Sequence, residues 1–377
     1  METHGTTDPE EGDGDSGEPL VRRIAGRLAG SGHVPTSVRA ALDHYADTGR
    51  PAIGSIRAHR RAEDQVDAMV DEAFDDVERA IATEFDRQPD EVEFEYGTKL
   101  TMPVELTLAH VYADRDERGD DAVETAKAVT ELVVVALLDG DVRDALNDGE
   151  YEDFRVNFPL DGDEDRRRLA EVVQATLQTD VDARFESFDE EVRDAYDRAV
   201  AFSEAHQDRD PHFRQLFVDA KSGDEEALDS IREEYKHAGF EESPELLSEI
   251  PAELPYFKTQ YGRVGVIYDG MIDMYRAAGI DIEPAFELSI VLSIIGAQIW
   301  LDDVDDYRRD LADDQLTPVT AEYLLAESEA EAYERIVSIT EAYLDAAKRR
   351  ALAADSDLVS IGSRYIYYSG NPDVLPR

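Results

Sequence analysis

The residues best placed to do chemistry are a run of aspartates, Asp302-Asp303-Val304-Asp305-Asp306, with Asp310 beyond it. They close the most apolar stretch of the chain, residues 288–301 (LSIVLSIIGAQIWL). Asp302, Asp306 and Asp310 are spaced i, i+4, i+8 and so share one helix face. Like charges at that spacing repel, so the pattern predicts a neutralising cation. Hard oxygen ligands on a rigid helix suit Mg²⁺, which keeps several waters and is shared with substrate phosphates. Such a set would clamp a diphosphate. The spacing alone decides little. With 88 acids in 377 residues, chance supplies the pattern roughly five times. Context decides more, because these acids continue directly from a helix that is aliphatic on nearly all sides. That predicts the end of a central bundle helix opening onto a cavity; a solvated helix end is the plain alternative.

A second group follows the other apolar run, LVVVALL at 132–138: Asp139-Gly140-Asp141-Val142-Arg143-Asp144. Two central helices that both end in aspartates would line one cavity from two sides and could hold Mg²⁺ across a bundle. Gly140 and Arg143 interrupt this group, and a helix end fraying into an acidic loop is the alternative. The lysines are an independent signal. The chain has only six, Lys99, Lys127, Lys221, Lys236, Lys258 and Lys348, and otherwise uses Arg. A diphosphate needs cations besides metal, and Lys serves phosphate as a point charge. Lys99, in Gly97-Thr98-Lys99-Leu100-Thr101-Met102-Pro103, precedes the helix that leads to the first acidic group. Lys258, in Phe257-Lys258-Thr259-Gln260, opens the helix before the second.

The elements that must position these groups all read as helices. Residues 64–86 place Val66, Met69, Val70, Phe74, Val77 and Ile81 on one face. Further helical blocks are predicted at 103–112, 122–146, 164–178, 188–206, 224–237, 256–278, 284–311, 318–326 and 329–353. Pro159, Gly223, Pro251, Pro255, Gly279, Pro284 and Pro318 punctuate the joins. No alternating strand pattern stands out. The fold class is therefore all-α, a single large bundle. Residues 1–18 (METHGTTDPEEGDGDSGE) are acidic and Gly-rich, without the apolar core of a secretory signal, and read as a disordered tail. Residues 19–62 are Arg-rich and read as an appended helical extension, leaving 63–377 as the main helical domain. Both apolar runs fall short of the roughly 20 residues that span a bilayer, so no transmembrane segment is expected.

Charge narrows the partners. Lys+Arg number 38 against 88 Asp+Glu, a formal charge of −50, with no cysteine. Nucleic acid and anionic membrane surfaces call for basic protein surface, and disulfides and Cys-based zinc sites are impossible. Apolar residues still make up 42% of the chain, enough for a core. An acidic, Lys-poor chain suits a salt-rich cytoplasm, where screening over about 3 Å at 1 M makes such charge tolerable. The expectation is a cytoplasmic protein of an extreme halophile.

The order Gly97-x-Lys99-Leu100-x-x-Pro103, Glu131-Leu132, an Asp group, Lys258-Thr259, then Gln298 and Asp302-Asp303-x-x-Asp306, resembles the trans-prenyl diphosphate synthases of the class I isoprenoid synthase superfamily. Gln315-Leu316-Thr317-Pro318 is similar to the stretch that follows the second aspartate motif of that family. The likeness runs from about residue 65 to about residue 325. It implies an all-α bundle around a deep apolar cavity, with two aspartate motifs at its mouth holding Mg²⁺ on an allylic diphosphate, and a homodimer. It further implies metal binding by Asp141, Asp144, Asp302, Asp303, Asp306 and Asp310, and diphosphate binding by Lys99, Lys258 and Gln298. Asp141, Asp302 and Lys258 would act in ionising the substrate, after which a C=C bond attacks the cation.

The chain departs from the pattern in places. Asp141 matches the first position of the first DDxxD, but Val142 and Ala145 stand where two aspartates belong; Asp139 and Asp144 are the available substitutes. Thr98 and Thr101 replace basic residues near Lys99, and Arg155 is a loose match for the arginine after the first motif. Gln298-x-x-x-Asp302-x-x-x-Asp306-x-Arg308-Arg309 is also similar to squalene and phytoene synthases. Asp302/Asp306/Asp310 and Arg364-Tyr365 resemble features of terpene cyclases. A catalytically impaired partner subunit of a prenyl synthase is a further alternative.

Overall fold

The computed structural model describes residues 34–97, 101–240 and 254–377, together with Arg22, Ala25 and Ala29. Lys99 and the tail at 1–18 lie outside the described residues. The chain is helical almost throughout. In order come α1 (Thr36–Thr48), α2 (Ile53–Glu84), α3 (Met102–Ala113), α4 (Asp120–Asp148), α5 (Asp163–Phe185), α6 (Glu190–Gln207) and α7 (Asp210–Lys221). Then α8 (Glu225–Ser230) continues into a π-helical turn, Ile231–Lys236. Helix α9 opens as Phe257–Gln260, passes through a π-helical segment, Tyr261–Gly265, and runs on as Val266–Ala277. Helix α10 (Pro284–Ala297) likewise ends in a π-helical segment, Gln298–Asp303. The chain closes with α11 (Tyr307–Ala312), α12 (Pro318–Leu325), α13 (Glu329–Ala353) and α14 (Asp357–Ser369). Among the described residues the sole strand pairing is a two-residue antiparallel bridge, Phe94 opposite Val156 and Glu95 opposite Arg155.

Local chemistry accounts for several boundaries. Pro284 and Pro318 start α10 and α12, where a missing N–H costs nothing. Thr317 and Thr320 form a reciprocal capping box on α12. Helix α4 stops at Gly149, whose φ of 73° favours glycine. Gly140 does not break α4, so Asp139, Asp141 and Asp144 sit within a continuous helix and not in a frayed end.

The apolar side chains fall into two packed groups. One gathers α2 to α6 with the later part of α9, around Val66, Val77, Leu108, Leu132, Leu169 and Ile272. The other gathers α7, α8, the early part of α9, α12 and α13, around Phe217, Ile231, Tyr256 and Tyr343. Helix α10 serves both: Phe286 and Ile290 enter the first group, while Val291, Ile295 and Ile299 enter the second. Together with its π segment, α10 spans Pro284–Asp303, a length of 20 residues and apolar enough to cross a membrane, yet 67% of that window is buried by its own neighbours.

Two helices, α7 and α14, lie outside the blocks predicted from the sequence. The inward face of α14 mixes Val359 and Ile366 with Ser360, Ser363 and Arg364. Arg364, only 4% exposed, donates to Asp43 (2.9 Å) and Asp47 (2.5 Å) on α1 and to the Ser360 carbonyl (3.0 Å). Fully buried His44 of α1 sets Nδ1 3.1 Å from Ser360 Oγ and Nε2 3.2 Å from Asp357. Burial lowers the pKa of His44, so it clamps the two helices as a neutral ring. Arg364 thus fastens the N-terminal helix to the body. Helix α2 passes through position 62 without interruption.

Helix crossings near the core depend on missing side chains. A Cβ at Gly270 of α9 would lie 2.3 Å from the Ala199 Cβ of α6, and one at Gly296 of α10 would lie 2.7 Å from Leu344 of α13. We expect Gly270→Ala to lower stability by about 1–3 kcal/mol through this overpacking. Adding Ala199→Gly should recover most of the loss in chemical denaturation; an unchanged midpoint for the single variant would contradict so close a crossing.

Candidate functional site

The second aspartate group lies where the π-helical segments of α9 and α10 meet. A π turn carries an extra residue, so the residues after it are set back by about 100° relative to a regular helix. After Gln298–Asp303, it is Asp303 that turns inward, 1% exposed, while Asp302 faces out. A turn follows: Asp306 N–H bonds the Asp302 carbonyl at 2.9 Å, Tyr307 N–H the Val304 carbonyl at 3.4 Å and Asp310 N–H the Asp306 carbonyl at 2.9 Å. Asp310 also lies inside, 8% exposed, with Asp306 half-buried, so Asp302, Asp306 and Asp310 do not present one common face.

Arg263, in the π segment of α9, donates to Asp303 Oδ1 at 3.3 Å. Gln298 Nε2 donates to Asp302 Oδ2 at 2.5 Å and to Asp303 Oδ1 at 3.3 Å. Asp303 Oδ2 is buried with no hydrogen-bond partner among the described residues. Burial pushes Asp303 up to about 7; Arg263 opposes this, and the charges of Asp302 and Asp310 add to it. Burial likewise takes Asp310 up to about 6, against the pull of Arg263 and Arg309.

Cations sit on the other side of Arg263. His206, at the end of α6, packs on Gly262, where any Cβ would come within 2.7 Å of its Nδ1. Burial and the charges of Arg209, Arg263 and Lys258 lower His206 to about 4, so it is neutral at physiological pH. Lys258 Nζ donates to the Gly239 carbonyl at 2.7 Å, and Arg209 lies over the Phe213 ring at 4.7 Å. The region therefore couples a raised-pKa carboxylate group to a cationic one through Arg263. The sequence singled out Asp302, Asp303, Asp306, Asp310, Gln298 and Lys258 but not Arg263, Arg209 or His206. The unusual Gly262-Arg263-Val264-Gly265 stretch within a helix was the one available signal.

The first aspartate group is organised differently. Asp139, 1% exposed, is paired with Arg143 and accepts from Gln174 at 3.3 Å. Asp141 lies two residues on, about 200° around the helix. It accepts from Tyr96 and acts on Tyr268 of α9; burial raises its pKa. Asp144 is exposed, and Val142 and Ala145 are buried apolar positions. Asp139 therefore faces a separate set of partners from Asp141 and is already neutralised. The two aspartate groups border the same helix, α9, through Tyr268 and Arg263 respectively. Each rests on its own core group.

The donors at 302–310 suit a hard divalent cation: all are carboxylate oxygens, and Asp303 Oδ2 is an orphan that a cation would satisfy. Among the described residues, however, the one trio of ligand atoms within 4.8 Å of each other is His110, Asp114 and Glu283. Arg118 approaches that trio at 3.3 Å from Asp114 and 4.0 Å from Glu283. The trio joins α3 to the start of α10 and has the geometry to hold a metal ion; Arg118 offsets part of its charge, as Arg263 and Arg309 do for Asp303 and Asp306. Comparison of the chain with protein-family models, curated proteins and solved structures gives no match.

A buried ionic network holds α9 and α10 in the relation the site needs. Arg276 donates through Nη1 to Glu287 Oε1 at 2.7 Å, and its Nη2 lies 2.7 Å from Oε2. Glu287 also hydrogen-bonds Asp269, which accepts from Tyr261 in the π segment. Burial, with Asp269 close by, takes Glu287 up to about 8. In the folded chain Glu287 holds a proton that it would have lost in the unfolded chain, so stability falls as pH rises from the ordinary range near 4.5 toward about 8. Glu287→Gln keeps a donor toward Asp269 without that titration. Its denaturation midpoint should vary less between pH 5 and pH 9 than that of the parent; parallel profiles would refute the assignment.

Proposed function

We propose that the chain is an Mg²⁺-dependent isoprenoid synthase-like enzyme that ionises an allylic prenyl diphosphate, with prenyl chain transfer as its reaction. The reading rests chiefly on Asp303: a buried carboxylate with an unpartnered oxygen, set among Asp302, Asp306 and Asp310 at the junction of two π-helical segments. Insertions of this kind recur at functional sites. The all-α architecture and the order of the motifs along the chain agree with it.

In this reading Asp302, Asp303, Asp306 and Asp310 hold the metal. Bound Mg²⁺ supplies charge stabilisation to a departing diphosphate. Lys258, Arg263 and Arg209 supply the remaining positive charge, and neutral His206 can donate or accept a hydrogen bond beside them. Gln298 orients Asp302 and Asp303 by donating to both. The apolar side chains of α4, α9 and α10 would wall a central cavity, shielding an allylic cation from water until a C=C bond attacks it.

One observation favours a second reading, a partner subunit with the fold but little activity. Asp139 is committed to Arg143 and Gln174, and buried Val142 and Ala145 occupy the other motif positions, leaving Asp141 with Asp144, Glu150 and Asp153 in place of a DDxxD set.

A single assay separates the two. Diphosphate release is followed from allylic diphosphates of five, ten, fifteen and twenty carbons, in Mg²⁺ and molar KCl, with and without isopentenyl diphosphate. The enzyme reading expects release that falls at least about 100-fold on Asp303→Ala with Asp306→Ala. Release that needs isopentenyl diphosphate means chain transfer, and release without it means cyclisation or self-coupling. No release from any of them overturns the enzyme reading and leaves the subunit.

A further inference from the structure

The trio of His110, Asp114 and Glu283 takes no part in the proposed reaction. His110 and Asp114 lie one turn apart on α3 and so share one helix face. Glu283 comes from a distant part of the chain and stands at the N-cap of α10, directly before Pro284. His110 Nε2 and one oxygen of each carboxylate lie within 4.8 Å of one another. Nε2 is 3.1 Å from Glu283 Oε2 and 4.0 Å from Asp114 Oδ2. Ligand atoms about 2.1 Å from a shared ion sit about 3.0–3.4 Å apart in octahedral or tetrahedral arrangements. One edge of such a site is already formed, and a small rotation of Asp114 closes the next.

Two neighbouring carboxylates mean little in a chain with 88 acids. The imidazole sets this site apart. His110 is only 6% exposed, and its ring lies nearly parallel to that of Phe286, with centroids 4.1 Å apart. Phe286 is itself fully buried, so the core fixes the direction of Nε2 before any ion arrives. The other side is open, because the Glu283 side chain is half-exposed, and this leaves an entry path and room for waters. Arg118 is an imperfect partner for the two acids. It donates to Asp114 at 3.3 Å and stays 4.0 Å from Glu283. Its Nη1 is taken by the Asp281 carbonyl, and its Nε is buried with no hydrogen-bond partner among the described residues. One guanidinium against two carboxylates leaves an excess of negative charge beside a neutral ring.

We propose that His110, Asp114 and Glu283 bind a divalent transition-metal ion of the Zn²⁺ class, which ties α3 to the start of α10. One imidazole nitrogen with two carboxylate oxygens suits that class, whereas Mg²⁺ takes oxygen ligands and keeps its waters. The ion replaces the proton that Nε2 and Glu283 share, and the neutral ring then carries its proton on Nδ1. Water fills the positions on the Glu283 side. Because α10 serves both core groups, an ion at its start stabilises the whole bundle by binding the folded chain alone. The site is independent of the proposed enzymatic reading, because none of its residues belongs to the aspartate or cation groups.

Zn²⁺ titration of the full chain by calorimetry tests it, in molar KCl with Mg²⁺ in large excess to saturate sites made of oxygen alone. The parent is expected to bind Zn²⁺ at this site and to melt at a higher temperature when loaded. His110→Gln and Glu283→Gln should each weaken that binding by at least about 10-fold, the loss that even outer partners of a metal cause. Glu283 is half-exposed, so its variant reports on the site even where the His110 variant fails to fold. Arg118→Gln removes the competing charge and should tighten binding by roughly 10-fold. A parent that binds no Zn²⁺ over Mg²⁺, or binding indifferent to Glu283→Gln or to a folded His110→Gln, would overturn the proposal. Binding seen only in Arg118→Gln would overturn it too, because Arg118 would then be the trio's own cation.

Discussion

The structure depends on burying one helix. Residues Pro284–Asp303 are so apolar that water must be kept from nearly every side of them, and a bundle is the way an all-helical chain does this. Phe286 and Ile290 of this helix enter one core group; Val291, Ile295 and Ile299 enter the other. The two halves of the molecule are therefore held together by a shared apolar rod. Close crossings follow from the same demand, with α13 resting directly on Gly296. Where the rod ends, its backbone leaves regular geometry and aspartates begin. A buried carboxylate such as Asp303 is tolerated there because Arg263 stands opposite and burial favours its neutral form.

Electrostatics in the interior differ in kind from the charge on the surface. The formal charge of −50 comes from a surface crowded with acids. Inside, each carboxyl has a particular answer. Glu287 meets Arg276 with both oxygens, Glu322 is paired with Lys236 at 2.6 Å and accepts from Tyr256, and Asp139 is paired with Arg143. Asp303 keeps one oxygen without a hydrogen-bond partner among the described residues, as do Asp180, Glu322 and Asp357. The scarcity of lysine takes on a different meaning here. Lys236 spends its charge inside the fold and Lys258 turns toward a carbonyl, so scarcity alone did not distinguish a ligand-binding lysine from a structural one.

Much of the helical plan was legible because apolar periodicity is a local property. Val66, Met69, Val70, Val77 and Ile81 are buried together on α2, as their spacing requires. Helix α14 lay outside the predicted blocks; its inward face sets only Val359 and Ile366 beside Ser360, Ser363 and Arg364, an apolar stripe too thin to stand out. The continuity of α4 across Gly140 agrees with the helical block predicted at 122–146 and not with the alternative of a fraying helix end. A glycine in a helix interior costs about 1 kcal/mol, and packing of the flanking leucines and valines outweighs that.

What the sequence determined by itself is the helical class, the identity of the central apolar helix and the chain position of the acids that end it. Those follow from composition and period, which act over a few residues. Tertiary structure decided which acids face inward, that Asp303 and Asp310 do so while Asp302 does not, and that Arg263, forty positions away, meets them. It also separated Asp139 from Asp141. The physical reason is that helical phase through a π turn, and the burial that shifts a carboxyl's proton affinity, are both set by contacts between segments distant in sequence.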